Sequence, residues 1–176
     1  QRLIMAGIVL VGDHRVKKAS ELFTEDQGEI RVSGQDHPYV GRGGLKLMEA
    51  LKHFKLCVKN WVCADIGAST GGFSDCLLQE GAAKIYAIDV GTNQLAWKLR
   101  QDTRVIVHEQ THVLELTKNI FAEDLDLVVM DVSFISVLKL LPHLLATLPG
   151  NWNLIILVKP QFEAGREQVQ KGGLIK

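Results

Sequence analysis

An acid followed by a glycine turn is the first place in this 176-residue chain where residue types and spacing suggest chemistry. In Cys63-Ala-Asp65-Ile-Gly67-Ala68-Ser69-Thr-Gly71-Gly72-Phe73 an apolar run gives way to glycines and then to a helix-like stretch. Glycine permits a sharp turn and a close backbone approach to a ligand. The helix that follows offers free N–H groups at its start. The spacing matches neither the G-x-G-x-x-G of dinucleotide enzymes nor the phosphate-binding P-loop. An acid at the strand end would repel phosphates but tolerate an ammonium or a sulfonium. Asp89 closes the next apolar run about 20 residues past the glycines, where a carboxylate can accept hydrogen bonds from ribose hydroxyls. Together these residues describe a pocket for an adenosine carrying an amino acid and a positive sulfur. The competing reading is a structural turn with a helix-capping aspartate, and a dehydrogenase is disfavoured by the glycine spacing.

The elements that must position these residues follow from hydrophobic pattern. Short apolar runs at 61–66, 84–90, 104–108, 126–131 and 153–159 alternate with helix-like stretches at 44–56, 72–80, 94–101 and 136–147. Such alternation implies βαβ crossovers and a mostly parallel sheet, hence an α/β, Rossmann-like domain. Continuously apolar runs such as Leu127-Val-Val-Met130 and Leu154-Ile-Ile-Leu-Val158 suit strands buried on both faces. Before Tyr39 the texture differs. A helix is expected at 2–6, then short antiparallel strands at 8–11, 15–17 and 29–32, broken by Gly12-Asp13 and Gln27-Gly28. Ser-Gly-Gln-Asp-His-Pro at 33–38 reads as a linker.

Composition narrows the function. With 20 basic and 20 acidic residues the net charge is zero, so the chain is not one that coats nucleic acid by bulk electrostatics. Basic residues nevertheless cluster at 14–18 and 42–55, which allows a local basic face. No apolar run reaches the roughly 18 residues of a membrane-spanning helix, and no signal-like segment opens the chain, so the expected location is cytoplasmic. Cys57, Cys63 and Cys76 have no C-x-x-C spacing and are expected to be reduced core thiols. The six histidines show no ligand spacing, so no metal is expected. Trp97 and Phe134 are expected to be packing residues and not base-stacking platforms.

Several longer strings then combine. Tyr39-Val-Gly-Arg42-Gly-Gly-Leu-Lys46-Leu, the glycine turn continued to Ser-Asp75-Cys-Leu-Leu, Asp89-Val90-Gly, and Gln94-Leu-Ala-Trp97-Lys-Leu-Arg100 occur in order. They are followed by Asp131-Val-Ser-Phe-Ile-Ser136 and Val158-Lys159-Pro-Gln-Phe-Glu-Ala-Gly-Arg166. In combination they closely resemble the TlyA family, often named hemolysin A, within the FtsJ-like RNA ribose methyltransferases. The resemblance runs from about residue 2 to residue 176.

That resemblance implies S-adenosyl-L-methionine as cofactor, ribosomal RNA or ribosomal subunits as partner, and 2′-O-methylation of cytidine as activity. It implies a partial S4-like RNA-binding module at 1–33, a linker at 34–38 and a methyltransferase domain at 39–176 that lacks its C-terminal strands. Of the Lys-Asp-Lys-Glu catalytic group, the first three carry over to Lys46, Asp131 and Lys159, and the glutamate is expected beyond Lys176. Cofactor contacts are expected from Asp65, Gly67, Ala68, Ser69, Gly71, Gly72, Phe73, Asp89, Val90, Thr111 and Asp131, and RNA contacts from Arg15, Lys17, Lys18 and Arg42. Gln110-Thr111-His112 departs from the Arg-Thr-Asn usual in the loop expected by the adenine.

A ribose hydroxyl needs a base before it is a useful nucleophile, and a lysine amine can serve if its neighbours favour the neutral form. Lys159 is the expected base, with Lys46 assisting and Asp131 orienting an amine. Read singly, Lys159 is a solvated strand-end lysine and Asp131 a helix N-cap. Two other functions stay open: an RNA-binding ribosome-assembly factor without catalysis, and a membrane-lytic hemolysin, which would call for an export signal and a basic amphipathic helix. Oligomeric state is not legible.

Overall fold

A computed structural model describes residues 2–5, 7–32, 37–164, 166–169 and 175. Residues 33–36 of the expected linker, Ala6 and the side chain of Arg166 lie outside the described set. The chain divides into two compact units, 1–38 and 39–176.

In the first unit a short helix α1 (Arg2–Met5) precedes β1 (Val9–Val11), β2 (His14–Arg15) and β3 (Ile30–Val32). These pair antiparallel in the order β2-β1-β3, as the turn pattern implies, with a small core of Val9, Val11 and Val16. Arg15, Lys17 and Lys18 are exposed on it.

The second unit begins with α2 (Gly43–Phe54), followed by β4 (Val62–Ile66), α3 (Gly72–Gln79), β5 (Lys84–Ile88), α4 (Trp97–Arg100), β6 (Val105–His108), β7 (Leu127–Met130), α5 (Val137–Thr147), β8 (Asn153–Ile156) and α6 (Pro160–Glu163). Its five strands are all parallel in the order β6-β5-β4-β7-β8. The order reverses between β4 and β7, and ligands of open α/β sheets bind at that switch point, off the carboxyl ends of the strands.

Side chains alternate between the faces of a strand, and this periodicity aligns the candidate residues. Cys63, Ile85, Ala87, Leu127, Val129 and Ile155 pack on one face with Leu47 and Leu51 of α2 and Phe73 and Leu77 of α3. Ala64, Tyr86, Ile88, Val128 and Met130 pack on the other with Leu140 and Leu144 of α5. Odd-numbered residues of four strands therefore share the face of α2 and α3. Asp65 in β4 shares that parity, and so does Asp131, the residue directly after β7.

Three expectations need correction. The helix expected at 94–101 forms only at Trp97–Arg100, because the Glu109 carboxylate takes the amides of Asn93, Gln94 and Leu95 and holds them as a loop. The run at 153–159 forms a strand only to Ile156, and Val158 beyond it is exposed. Of the thiols only Cys63 and Cys76 are buried, and Cys57 is exposed just after α2.

Candidate active site

The loop after β4 is shaped by what lies behind it. Gly67 has φ +82 and Gly71 φ +95, both left-handed conformations that favour glycine. A Cβ on Gly71 would fall 2.2 Å from Leu99 Cδ1, and one on Gly72 3.1 Å from the Gly44 nitrogen. These two glycines thus give α4 and α2 their close approach to the loop. Gly72 also lines the cavity, whereas Gly71 does not. The backbone tie Val40 N to Asp75 Oδ2, 2.7 Å, fastens the segment leading into α2 onto α3.

Above this loop is a polar chamber of about 270 Å³, lined by residues that include Arg42, Lys46, Asp65, Ser69, Asp131 and Lys159. Gly67, Ala68, Gly72 and Phe73 also face it. A more apolar chamber of about 640 Å³ adjoins it and shares Gly67, Ser69, Asp131 and Ser133 with it. Ile88, Asp89, Val90, Thr111 and Leu140 line this second space, with His112 beside Thr111. The His112 Nδ1 accepts from the Leu114 amide at 3.1 Å, so the ring caps the short helical turn that follows.

Asp65 is buried on the α3 side. Its Oδ2 accepts from both Ser74 N (2.9 Å) and Ser74 Oγ (2.7 Å), whereas Oδ1 is buried without a partner. Burial outweighs the Ser74 bonds and, with the charges of Asp131 and Asp89, pushes the Asp65 carboxyl up to about 7. An unpaired buried carboxylate oxygen is costly and calls for a cationic or N–H partner. Asp89 accepts the Ser69 and Gly91 amides, each at 2.7 Å, and so ties the β5 end to the glycine loop. Its carboxylate oxygens keep further lone pairs for a diol.

Asp131 follows β7 and brings the lysines together. Lys159 Nζ approaches Asp131 Oδ1 at 2.6 Å and donates to Ser133 Oγ at 2.7 Å. Lys46 Nζ, from α2, lies 3.4 Å from Asp131 Oδ2. Asp131 is not a helix N-cap, since Ser136 occupies that position of α5. Lys159 is not a solvated strand-end lysine, and it sits three residues past the last paired residue of β8. Lys46, Asp131 and Lys159 therefore form one cluster at the junction of the two chambers.

Sequence reading missed Ser133 and Thr70 as lining residues. It also expected Phe134 and Trp97 to be packed, yet they are 91% and 70% exposed. Phe134 carries φ +66, a strained conformation for an aromatic residue, and its ring meets Phe162 at 5.2 Å. Arg15, Lys17 and Lys18 belong to the other unit.

Comparison with known proteins completes the picture. YqxC of Bacillus subtilis is 49% identical over 177 residues, covering 100% of this chain and 63% of that protein. Hemolysin A of Brachyspira hyodysenteriae is 44% identical, covering 100% of this chain and 73% of its own length. The Mycobacterium tuberculosis 16S/23S rRNA (cytidine-2′-O)-methyltransferase TlyA is 42% identical, over 98% of this chain and 65% of its own. A solved structure from Streptococcus thermophilus superposes with a TM-score of 0.80 at 46% identity, covering 99% of this chain and 64% of the other. The chain thus spans about two thirds of the length of these relatives. With the FtsJ-like methyltransferase model matching residues 39–176, the chain belongs to the FtsJ-like methyltransferase family.

Proposed function

We propose that the protein transfers a methyl group from S-adenosyl-L-methionine to a ribose 2′-hydroxyl of ribosomal RNA, with cytidine as the modified nucleotide. The observation that carries this reading is the pair of lysine amines on one carboxylate, Lys46 and Lys159 on Asp131, beside the unpartnered Asp65 oxygen. The residues present fit the cofactor. Asp65 Oδ1 would take its ammonium, Asp89 its ribose hydroxyls, and the apolar wall of Ile88, Val90 and Leu140 its base. Bound there, the cofactor supplies an electrophilic methyl on a sulfonium.

The rest is done by side chains of this chain. One amine of the Lys–Asp–Lys cluster must be neutral to act. Lys159, held by Asp131 and Ser133, accepts the proton of the ribose hydroxyl at Nζ. Lys46, more exposed and reached from α2, holds the sugar oxygen by hydrogen bonding. Asp131 keeps both amines converged and offsets the charge as Lys159 becomes an ammonium. Fixing reactants in this way can supply much of the acceleration. Arg42, at the exposed side of the polar chamber, and Arg15, Lys17 and Lys18, in a first unit that we read as the RNA-binding module, contact phosphates. Ribosomal subunits as substrate place the protein in the cytoplasm.

The test is methyl transfer from tritium-labelled S-adenosylmethionine to purified, unmethylated ribosomal subunits, followed by mapping of the modified nucleotide. Lys159→Ala is expected to abolish incorporation while cofactor binding, measured by titration calorimetry, is kept. Retained turnover refutes the role of Lys159, and label on a base or on protein refutes the ribose reading.

A further inference from the structure

Lys159 is not anchored by β8, which ends three residues earlier. Something else must hold it against Asp131. The segment after it, Pro160–Glu163, is a single helical turn closed by Phe162 N to Lys159 O and Ala164 N to Pro160 O, each 2.9 Å. At the far end of that turn the Glu163 carboxylate reaches the start of α5. Its Oε2 accepts from Ser136 Oγ at 2.6 Å and its Oε1 from Val137 N at 2.8 Å.

The need for this contact can be read from α5. The first amides of a helix have no partner inside it, and a nearby negative charge is favourable there. Ser136 stands at the N-cap, but its side chain makes no capping bond, and the first turn of α5 holds no acid. Glu163, from a separate segment, supplies both the acceptor and the charge. The Ser136 hydroxyl and the Val137 amide hold its carboxyl below the ordinary range, so it stays ionised at neutral pH.

The loop after β7, carrying Asp131, and the segment after β8, carrying Lys159, are thus joined at three successive points. Lys159 meets Asp131 and Ser133, Phe162 meets Phe134, and Glu163 meets Ser136 and Val137. Only the first involves the reacting groups. The last is a charge-assisted bond to a helix start, the stronger kind of hydrogen bond, and it sits one helical turn from the amine it steadies.

We infer that Glu163 is a positioning residue: by capping α5 it locks the segment after β8 onto the loop after β7 and so fixes the Lys159 amine on Asp131. The inference rests on the proposed role of Lys159, and the experiment separates the two.

In the full chain, the acetylation rate of individual lysines by acetic anhydride is followed by peptide mass spectrometry, with the exposed Lys52 as internal reference. Glu163→Ala is expected to raise labelling of Lys159 several-fold while Lys52 is unchanged. Glu163→Gln can still accept from the Val137 amide and donate to Ser136, and is expected to restore most of the protection. Ser136→Ala, a milder lesion should Glu163→Ala fold poorly, is expected to give an intermediate rise. Unchanged Lys159 labelling in both the Ala variants, or a parallel rise at Lys52, overturns the inference. In methyl transfer, Glu163→Ala is expected to lower kcat about 100-fold, the scale of a misplacement of about 1 Å, with cofactor KM unchanged; a raised KM at constant kcat overturns it too. No transfer by the wild-type chain refutes the proposed function alone, because the labelling reads the position of Lys159 directly.

Discussion

Asp65→Asn is the substitution whose outcome is most tightly bound to the geometry. The variant keeps an oxygen for the two Ser74 bonds and removes a buried negative charge. The unfolded chain gives up the Asp65 proton near 3.8, whereas the native protein holds it to about 7. Over that interval the native state binds more protons than the unfolded one, so this group lowers stability as pH rises. Each pH unit is worth about 1.36 kcal/mol, which sets a ceiling of about 4 kcal/mol by pH 7.5. Relaxation and water entry soften burial penalties, so a gain of about 2 to 4 kcal/mol is expected for the variant at pH 7.5, and none at pH 3.5 where both carry a neutral group. Urea unfolding followed by circular dichroism between these limits measures the difference directly. The same substitution is expected to weaken S-adenosylmethionine binding, because the ammonium loses its carboxylate. It should also abolish the proton release that accompanies binding to the wild type below pH 7, seen as a buffer dependence in calorimetry. A stability difference that does not change with pH, or a variant less stable than wild type at pH 7.5, would refute the account of Asp65.

Three further outcomes follow from the packing. Gly71→Ala forces a Cβ into a left-handed position 2.2 Å from Leu99 Cδ1; a loss of roughly 2 to 4 kcal/mol is expected in chemical denaturation. Gly72→Ala places a Cβ 3.1 Å from the Gly44 nitrogen and pushes α2 outward; kcat is expected to fall with cofactor affinity kept, and the reverse split in steady-state kinetics would contradict it. Tyr86→Phe removes a hydroxyl that donates to Glu123 and accepts from the Ala122 amide. It is expected to cost about 1 to 3 kcal/mol and to leave cofactor affinity unchanged in calorimetry, since that ring lines neither chamber.

The layout of the sheet was legible because its signals are local and repeated. Leu127-Val-Val-Met130 is apolar without interruption, and the strand it forms is buried throughout. The glycine turn marks the β4–α3 junction because only glycine readily takes φ +82 and φ +95 there. What the sequence hid depends on partners far along the chain. Nothing near 91–96 reveals that Glu109, some fifteen residues on, takes three of its amides and denies them to a helix. The apolar run at 153–159 does not reveal that its strand stops at Ile156. Phe134 and Trp97 have packing-type side chains, but the backbone aims them outward. Glu163 stands in a recognisable string, yet its work is done across a separation of 26 residues. Odd-number parity was an untapped signal for two of the acids, since it puts Asp65 in β4 and Asp131, directly after β7, on a common face.

That parity changes the meaning of the glycine cluster. A glycine-rich loop after a first strand invites the reading that each missing side chain makes room for a ligand. Here Gly71 makes room for Leu95 and Leu99, and Gly72 for the start of α2. Ala68, Ser69 and Thr70 face the cavity together with Gly67, Gly72 and Phe73. The close seat of α2 on α3 carries Lys46 over the end of β7, where the alternation of that strand has already turned Asp131 to the same side. Lys159 must arrive by a different route, because β8 stops short, and the α6 turn supplies it. The two amines thus reach one carboxylate through unrelated devices, glycine-permitted helix packing on one side and a capped helix start on the other. Each can therefore be loosened without disturbing the pocket that Asp65 and Asp89 define.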